Sequence, residues 1–185
     1  MSIEKDLKHN IFITGGLTGV MWLIYIVDYL WVFDKLNSNG IVPRTIHGLD
    51  GILWSPFLHG SIDHLIGNST VIIPLTFVMV MFYKRSTLLA MLIIIIAGGL
   101  MVWLMARGAN HIGASGLIYG QVAFLIASGW FRKNLKSVII AVVIGFIYGG
   151  MVWGVLPNQP GVSWEGHLFG AVSGIVASII LKNKK

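Results

Sequence analysis

Two short motifs place a serine and a histidine where they could act together. Ser115 stands in the motif GASG (residues 113–116), and His167 stands in the motif GHLFG (residues 166–170), each at the start of an apolar run. A serine hydroxyl is a poor nucleophile unless a base removes its proton, and imidazole is suited to that task near neutral pH. These residue types indicate nucleophilic attack on an acyl group, with Ser115 as nucleophile and His167 as base.

Each motif also has a simpler interpretation. Ser115 taken alone could be a small packing residue in a glycine-rich turn, and His167 an interfacial histidine that bonds a helix. An acid that would orient the imidazole is not evident. Asp28 is expected at the outer interface, and Glu165, two residues from His167, points to another face of its helix. The sequence therefore favours a dyad over a triad.

Asn68 and His64 could serve the same chemistry. They lie four residues apart and share one face of a predicted helix. An attacked carbonyl becomes an oxyanion that needs fixed donors. The Asn68 amide, the His64 ring and the free backbone N–H groups at the start of the helix that carries Ser115 are candidates. The alternative is a polar pair that only hydrogen-bonds its helix to a neighbour.

Composition sets the environment of this chemistry. The chain has 185 residues, of which 56% are hydrophobic and 11% charged, and its mean hydropathy is +0.82. These values predict a polytopic membrane protein. The chain has no cysteine, which excludes disulfides, a thiol nucleophile and cysteine-ligated metal. The basic residues, with a net charge of +6, are scattered at helix ends, so they are better explained as topology signals than as a nucleic-acid surface.

The sequence predicts one all-α domain over residues 1–185, a bundle of six transmembrane helices. A spanning helix needs about 20 apolar residues. Six stretches qualify, at about residues 11–33, 64–83, 87–106, 115–131, 137–155 and 166–181. Of the 13 Lys and Arg residues, only Lys35, Arg44 and Arg107 fall opposite the termini, so both termini are expected in the cytoplasm.

Counting residues along the helices predicts that the polar groups share one depth. Ser115, His167 and Asn68 lie 17, 15 and 16 residues from the basic residues Arg132, Lys182 and Lys84 that end their helices. At about 1.5 Å per residue, all three lie roughly 22–26 Å up, within the outer part of the membrane core.

Glycines repeat every four residues on the two helices that carry Ser115 and His167. The fourth helix has Gly116 and Gly120, and the sixth has the row Gly166, Gly170 and Gly174. This spacing permits close backbone packing in lipid. We expect the two helices to touch and so to bring Ser115 to His167.

The first outer connection, between Asp34 and Asp63, is long and partly apolar. A connection of that length is usually functional. Its composition indicates a structure that lies in the membrane interface. A loosely folded loop on the helix tops is the alternative.

These motifs together resemble the rhomboid intramembrane serine proteases, most closely the compact bacterial six-helix GlpG type. The matching residues are HLIGN at 64–68, GASG at 113–116 with Tyr119, and GHLFG at 166–170, in order along nearly the whole chain. One departure is that many rhomboids carry an adjacent Trp-Arg pair in the first outer loop, whereas Trp54 here is followed by Ser55.

The resemblance implies an intramembrane serine endopeptidase that cuts transmembrane proteins near the outer end of a helix, after a small residue, without cofactor or metal. It implies a bacterial inner-membrane location, and membrane lipids and transmembrane substrates as partners, with no nucleic acid. It assigns Ser115 and His167 to catalysis, and His64, Asn68 and the Ser115 N–H to the oxyanion hole. Tyr119 would pack on the His167 ring, and the supporting residues in the motifs are Gly113, Gly116 and Gly170.

Two other functions stay open at this point. A channel or transporter could bind a transition metal through the histidines at positions 59, 64, 111 and 167. A catalytically inactive rhomboid relative could bind membrane proteins, although such relatives have typically lost the serine or the histidine. The sequence does not name the substrate, the oligomeric state or the element that admits the substrate; the glycine-containing fifth helix is the expected gate.

Overall fold

The computed structural model describes residues 3–33, 35–157 and 161–184 and consists mainly of helices. They are α1 (Ile3–Val27), α2 (Gly51–Trp54), α3 (Ile62–Tyr83), α4 (Arg85–Ile93), α5 (Gly99–Met105), α6 (Ser115–Arg132), α7 (Leu135–Tyr148) and α8 (Trp164–Ile180). π-helical turns extend α1 over Asp28–Val32 and join α4 to α5 over Ile94–Gly98. 3₁₀ turns cover Leu36–Asn39, Ser55–Phe57 and Gly149–Val155. The all-α fold predicted from the sequence is confirmed; the predicted domain also includes residues 1, 2, 34, 158–160 and 185, which lie outside the described residues.

The predicted helices are found in order as α1, α3, α4 with α5, α6, α7 and α8. Four of them, α3, α4, α7 and α8, begin two residues earlier than predicted. In α3, α7 and α8 a polar side chain caps the earlier start. Ser61, Asn134 and Ser163 accept hydrogen bonds from the backbone N–H groups of His64, Ser137 and Gly166 respectively. Such caps satisfy N–H groups that have no partner within the helix.

Four helical stretches in the described part of the chain are long and apolar enough to cross a membrane, which makes this a multi-pass membrane protein. They are Asn10–Trp31, Ile62–Tyr83, Ser86–Met105 and Leu135–Val155. The helix α8 is apolar but shorter, and α6 is not among the four. Other helices pack around α6, so it needs less lipid-facing apolar surface. A count of six spans stays a prediction.

The contact between α6 and α8 is a backbone contact at the predicted glycines. A methyl group added at Gly170 would lie 2.8 Å from the carbonyl carbon of Gly116, and one added at Gly174 would lie 2.8 Å from that of Gly120. Real side chains do not approach backbone atoms this closely. The predicted close approach of these two helices is therefore confirmed.

Hydrogen bonds between side chains join α3 to its neighbours inside the bundle. Gln121 on α6 donates to Thr76 Oγ1 over 2.9 Å, and both side chains are fully buried. On the other side, the Trp22 indole of α1 donates to Ser69 Oγ over 3.0 Å. Polar side chains commonly bond helices to one another in membranes.

The first outer connection is docked on α5 by an arginine and a tryptophan from different segments. Arg44 Nη1 donates to the carbonyls of Leu104 (3.3 Å) and Ala106 (2.8 Å), and its backbone N–H donates to Trp103 O (3.0 Å). In return, the Trp103 indole donates to Thr45 O over 2.8 Å. These bonds tie the connection to α5 although the chain lacks an adjacent Trp-Arg pair. The exposed apolar side chains of the connection are Ile46, Leu49, Leu53 and Trp54.

We predict that Gly174→Ala destabilises the protein by about 1–3 kcal/mol, the usual cost of overpacking a tight contact. The added methyl would meet the Gly120 backbone, which cannot move aside without separating the helices. The free energy of unfolding in detergent micelles measures this effect.

Gly145→Ala is the matched control, because a methyl group at Gly145 on α7 would meet nothing within 4 Å. We expect it to be neutral or to stabilise by up to about 1 kcal/mol through helix propensity. Equal stability of the two variants would contradict the backbone contact between α6 and α8.

Candidate active site

Ser115 is the first residue of α6 and follows a turn that requires glycine. Gly113 has φ +109°, a conformation that other residues rarely adopt. Its N–H donates to Ser55 O over 2.8 Å, which anchors the turn on the first outer connection. The half-buried Ser115 lines a pocket of about 50 Å³. The residue before it, Ala114, provides no side-chain cap for α6, so the backbone N–H groups at its start remain available as donors.

His167 lies in the first turn of α8, and its ring is fixed from two sides. The ring stacks on Tyr119 with centroids 4.1 Å apart and planes 7° apart. Nδ1 lies 2.8 Å from the carbonyl oxygen of Gly154. Because a carbonyl only accepts hydrogen bonds, Nδ1 must carry the proton. In the neutral ring, the lone pair is then on Nε2, which can act as a base.

The helices that carry Ser115 and His167 touch at the residues next to these two. Gly116 faces Gly166 so closely that a methyl group at Gly116 would lie 3.2 Å from Gly166 O. Tyr119, which stacks on His167, is one helical turn from Ser115 and shares its face of α6. In the described ranges, no hydrogen bond joins Ser115 Oγ to the His167 ring. Such bonds are often longer in enzymes without substrate.

His64 and Asn68 project from α3 toward the turn before Ser115. A methyl group at Gly113 would lie 2.7 Å from His64 Nε2 and 3.5 Å from Asn68 Nδ2. Both nitrogen atoms therefore adjoin the chain two residues before Ser115. An oxyanion hole needs nitrogen donors that come together in this way. These two can do so only because residue 113 has no side chain.

His59 is a part of this site that the sequence analysis considered only as a metal ligand. Its Nε2 lies 3.0 Å from Asn68 Nδ2, and its Nδ1 lies 3.3 Å from Phe57 O. The amide donates to Nε2 and Nδ1 donates to the carbonyl, so His59 holds one N–H of Asn68 and leaves the other N–H free. The His59 ring also makes an edge contact with the His64 ring, with centroids 5.0 Å apart. The sequence feature that marks His59 is its place just before Ser61, the residue that caps α3.

The pKa of His59 is lowered from 6.5 to about 4, mainly by burial and also by the neighbouring His64, while the bond to Phe57 O opposes the shift. Desolvation disfavours the charged form of a histidine. The ring is therefore neutral at neutral pH, as its bond from Asn68 requires.

The two carboxylates weighed as orienting acids, those of Asp28 and Glu165, have partners other than the His167 ring. Asp28 Oδ1 accepts from the Leu36 N–H over 2.9 Å, and Glu165 pairs with Arg107 Nη1 at 3.5 Å. Within the described residues, the orienting partner of the His167 ring is thus the Gly154 carbonyl, which no sequence motif marks. The histidines of the metal hypothesis are also divided: His59 and His64 are neighbours, whereas His111 and His167 have separate partners. In the described part of the chain, no group of three or more metal-ligating side chains comes together.

Comparisons with known proteins agree with these features. The model of a family described as Rhomboid domain matches residues 48–184, a range that includes every residue of the candidate site. An uncharacterized protein of Mycobacterium tuberculosis is 37% identical over 191 residues, which cover 96% of this chain and 79% of the relative. An uncharacterized protein of Mycobacterium leprae is 34% identical over 184 residues, with 92% and 72% covered. A putative rhomboid protein of Acanthamoeba polyphaga mimivirus is 24% identical over 171 residues, with 89% and 90% covered.

The His59 pKa predicts how stability depends on pH. Because the pKa falls from 6.5 to about 4 on folding, the unfolded chain binds more protons than the folded protein between these values. The stability that the neutral ring contributes is present above pH 6.5 and decreases as the pH falls toward 4, by at most about 3 kcal/mol.

The test compares the wild type with His59→Gln, whose amide oxygen can accept the Asn68 bond but does not titrate. We expect the free energy of unfolding of the wild type to decrease more steeply between pH 6.5 and 4 than that of the variant. Parallel pH profiles would mean that His59 is not held neutral by burial.

Proposed function

Because the chain belongs to the rhomboid family, a family of intramembrane serine proteases, we propose that it is a serine endopeptidase that uses a Ser115–His167 dyad. Its substrates are transmembrane proteins, cut near the outer ends of their helices. The observation that carries the proposal is the position of these two residues, at the point where the backbones of α6 and α8 touch.

The reaction follows from the tautomer of His167. As Ser115 Oγ bonds to the peptide carbonyl carbon, Nε2 takes the hydroxyl proton. The C–N bond then breaks, the imidazolium gives the proton to the leaving amine, and an acyl-enzyme forms on Ser115. Water attacks the ester with the same base and restores the serine. The Gly154 carbonyl holds the ring orientation throughout, as the aspartate of a triad does.

The oxyanion that forms during each step is stabilised by donors from two helices. Asn68 offers its free amide N–H, His64 offers its ring, and the Ser115 backbone N–H at the start of α6 completes the set. The approach of the His64 and Asn68 side chains to Gly113 supports this assignment. Fixed donors of this kind act strongly in a site with little water.

The pocket beside Ser115 supports a small residue before the cut. Its volume is about 50 Å³, and several of its walls are glycine backbone or short side chains. A long substrate side chain would need these backbones to separate. The apolar walls include Ile41, Ile52, Ile94 and Val102.

The proposed setting is the inner membrane of a bacterium, with both termini in the cytoplasm and the site near the outer face. The distribution of basic residues supports this orientation. The fifth predicted helix is proposed to yield when a substrate enters from the lipid. Only 11% of the apolar window of Leu135–Val155 is buried in the protein, against 44% for Ile62–Tyr83, so it has the smaller packing interface to disrupt.

We predict that Ser115→Ala and His167→Ala each abolish cleavage of a model transmembrane substrate without unfolding the protein. The double variant should be no slower than either single variant, because residues that act as a unit are not additive. Cleavage by purified protein in liposomes measures this, and labelling by a fluorophosphonate should occur at Ser115. Cleavage that persists in Ser115→Ala would refute the proposal. A wild type that binds substrate but is neither active nor labelled would point to an inactive relative.

Asn68→Ala and His64→Ala should each slow turnover by roughly 10²–10³-fold, the usual effect of removing one oxyanion donor. Turnover should persist because the backbone donor remains. Asn134→Ala is a control in which a side chain that caps α7 is lost far from the site. If Asn68→Ala and His64→Ala both keep the kcat of the wild type, the two residues are structural.

A further inference from the structure

His111 is a buried histidine outside the proposed dyad and oxyanion hole. Only 5% of its surface is exposed. Its backbone pairs with Ile41 through hydrogen bonds of 3.0 and 2.9 Å, which fix the residue on the first outer connection. Its ring contacts two other parts of the chain. Nε2 lies 3.1 Å from Arg107 O, and Nδ1 lies 2.6 Å from Ser163 Oγ.

The partners determine the direction of each of these bonds. Arg107 O can only accept, so His111 Nε2 carries the proton and Nδ1 accepts from the Ser163 hydroxyl. Ser163 Oγ in turn accepts from the Gly166 N–H over 3.2 Å, as the cap of α8. One ordered row of hydrogen bonds thus runs from the first turn of α8 through Ser163 and His111 to Arg107.

The position of this row relates it to the dyad. His111 lies four residues before Ser115, and Ser163 lies four residues before His167. The bond between them therefore directly joins the segment that ends at the nucleophile to the cap of the helix that carries the base.

A second link joins the same two segments nearer the surface. Arg107 Nη2 donates to Val162 O over 2.6 Å, Arg107 Nη1 lies 3.5 Å from Glu165 Oε2, and the Arg107 N–H donates to Glu165 Oε1 over 3.4 Å. The Arg107 side chain is 46% exposed, so this ion pair is weakened by solvent. The His111–Ser163 bond, between a buried and a half-buried side chain, is better protected from water.

The helix contact itself explains why such a link is needed. The facing glycines let α6 and α8 approach but contribute no side chains of their own to the contact. The stack of Tyr119 on His167 joins the two helices beside this row. A backbone contact of this kind fixes the distance between two helices more firmly than the offset of one helix along the other. Catalysis, however, depends on placement of the reacting groups to within about 1 Å.

We propose that the His111–Ser163 hydrogen bond sets the separation of Ser115 and His167, and that both residues are positioning residues. Both line the same pocket as Ser115, and their side-chain hydrogen bonds are to each other and to the backbone of Arg107 and Gly166. This inference rests on the proposed protease function.

Two replacements of His111 separate its two hydrogen bonds. In His111→Asn the amide oxygen lies near the position of Nδ1 and can still accept from Ser163. In His111→Gln the amide nitrogen lies near the position of Nε2 and can still donate to Arg107 O, but the Ser163 bond is lost. We expect His111→Gln to lower kcat by about 10–100-fold with a smaller change in KM, since misplacement of about 1 Å has effects of that order on the chemical step. The rate of fluorophosphonate labelling at Ser115 should fall by a similar factor.

His111→Asn should retain the larger part of both rates. A second pair tests the other partner: Ser163→Thr keeps the hydroxyl and should restore what Ser163→Ala loses. His47→Gln is the control, because His47 is an exposed histidine in the first outer connection. Thermal unfolding of each variant shows whether it is folded.

The inference is overturned if folded His111→Gln and Ser163→Ala label and cleave as fast as the wild type. It is also overturned if His111→Asn and His111→Gln lose kcat equally, since the bond to Ser163 would then not matter. Failure of the wild type to label at Ser115 would instead refute the proposed function, and the inference with it.

Discussion

The backbone contact between α6 and α8 is the constraint on which the candidate site depends. Gly116 and Gly170 leave no space for a side chain between the two helices. Since Ser115 and His167 lie in the first turns of these helices, any separation of the backbones would move the two residues apart. The contact also buries polar groups on the two helices. A buried polar atom that has no hydrogen-bond partner costs free energy.

The site residues avoid this cost because they are hydrogen-bonded, and their partners are neutral groups rather than buried charges. The Gly154 carbonyl orients His167, and the neutral His59 ring holds Asn68. A carboxylate in either place would add a charge that is expensive to bury unless it is paired. The acidic side chain nearest in sequence to His167, that of Glu165, is paired instead with Arg107 at the outer end of α8.

The first outer connection is an integral part of the site. Ser55 O accepts from the N–H of Gly113 and fixes that turn, and Phe57 O accepts from His59 Nδ1 and so fixes His59 and Asn68. Arg44 in turn docks the connection on the end of α5. A loop at membrane depth is tolerated where its backbone N–H and C=O groups have hydrogen-bond partners within the protein. This connection finds such partners on α5 and on the segment before α6.

The sequence by itself determined the all-α membrane fold, the order of the helices and the close approach of α6 and α8. Apolar length and glycine spacing are local properties of the chain, so they can be recognised without a structure. The starts of α3, α7 and α8 were predicted two residues late because caps such as Ser163 act on a local scale that apolar length does not show. Only the tertiary structure decided the partners of His167, Asn68 and His111. Those partners are the Gly154 carbonyl for His167, the His59 ring for Asn68, and the Ser163 hydroxyl and Arg107 carbonyl for His111. Two of these four groups are backbone carbonyls, which every residue possesses. No pattern of side chains marks such bonds, because they arise only when helices and loops pack together.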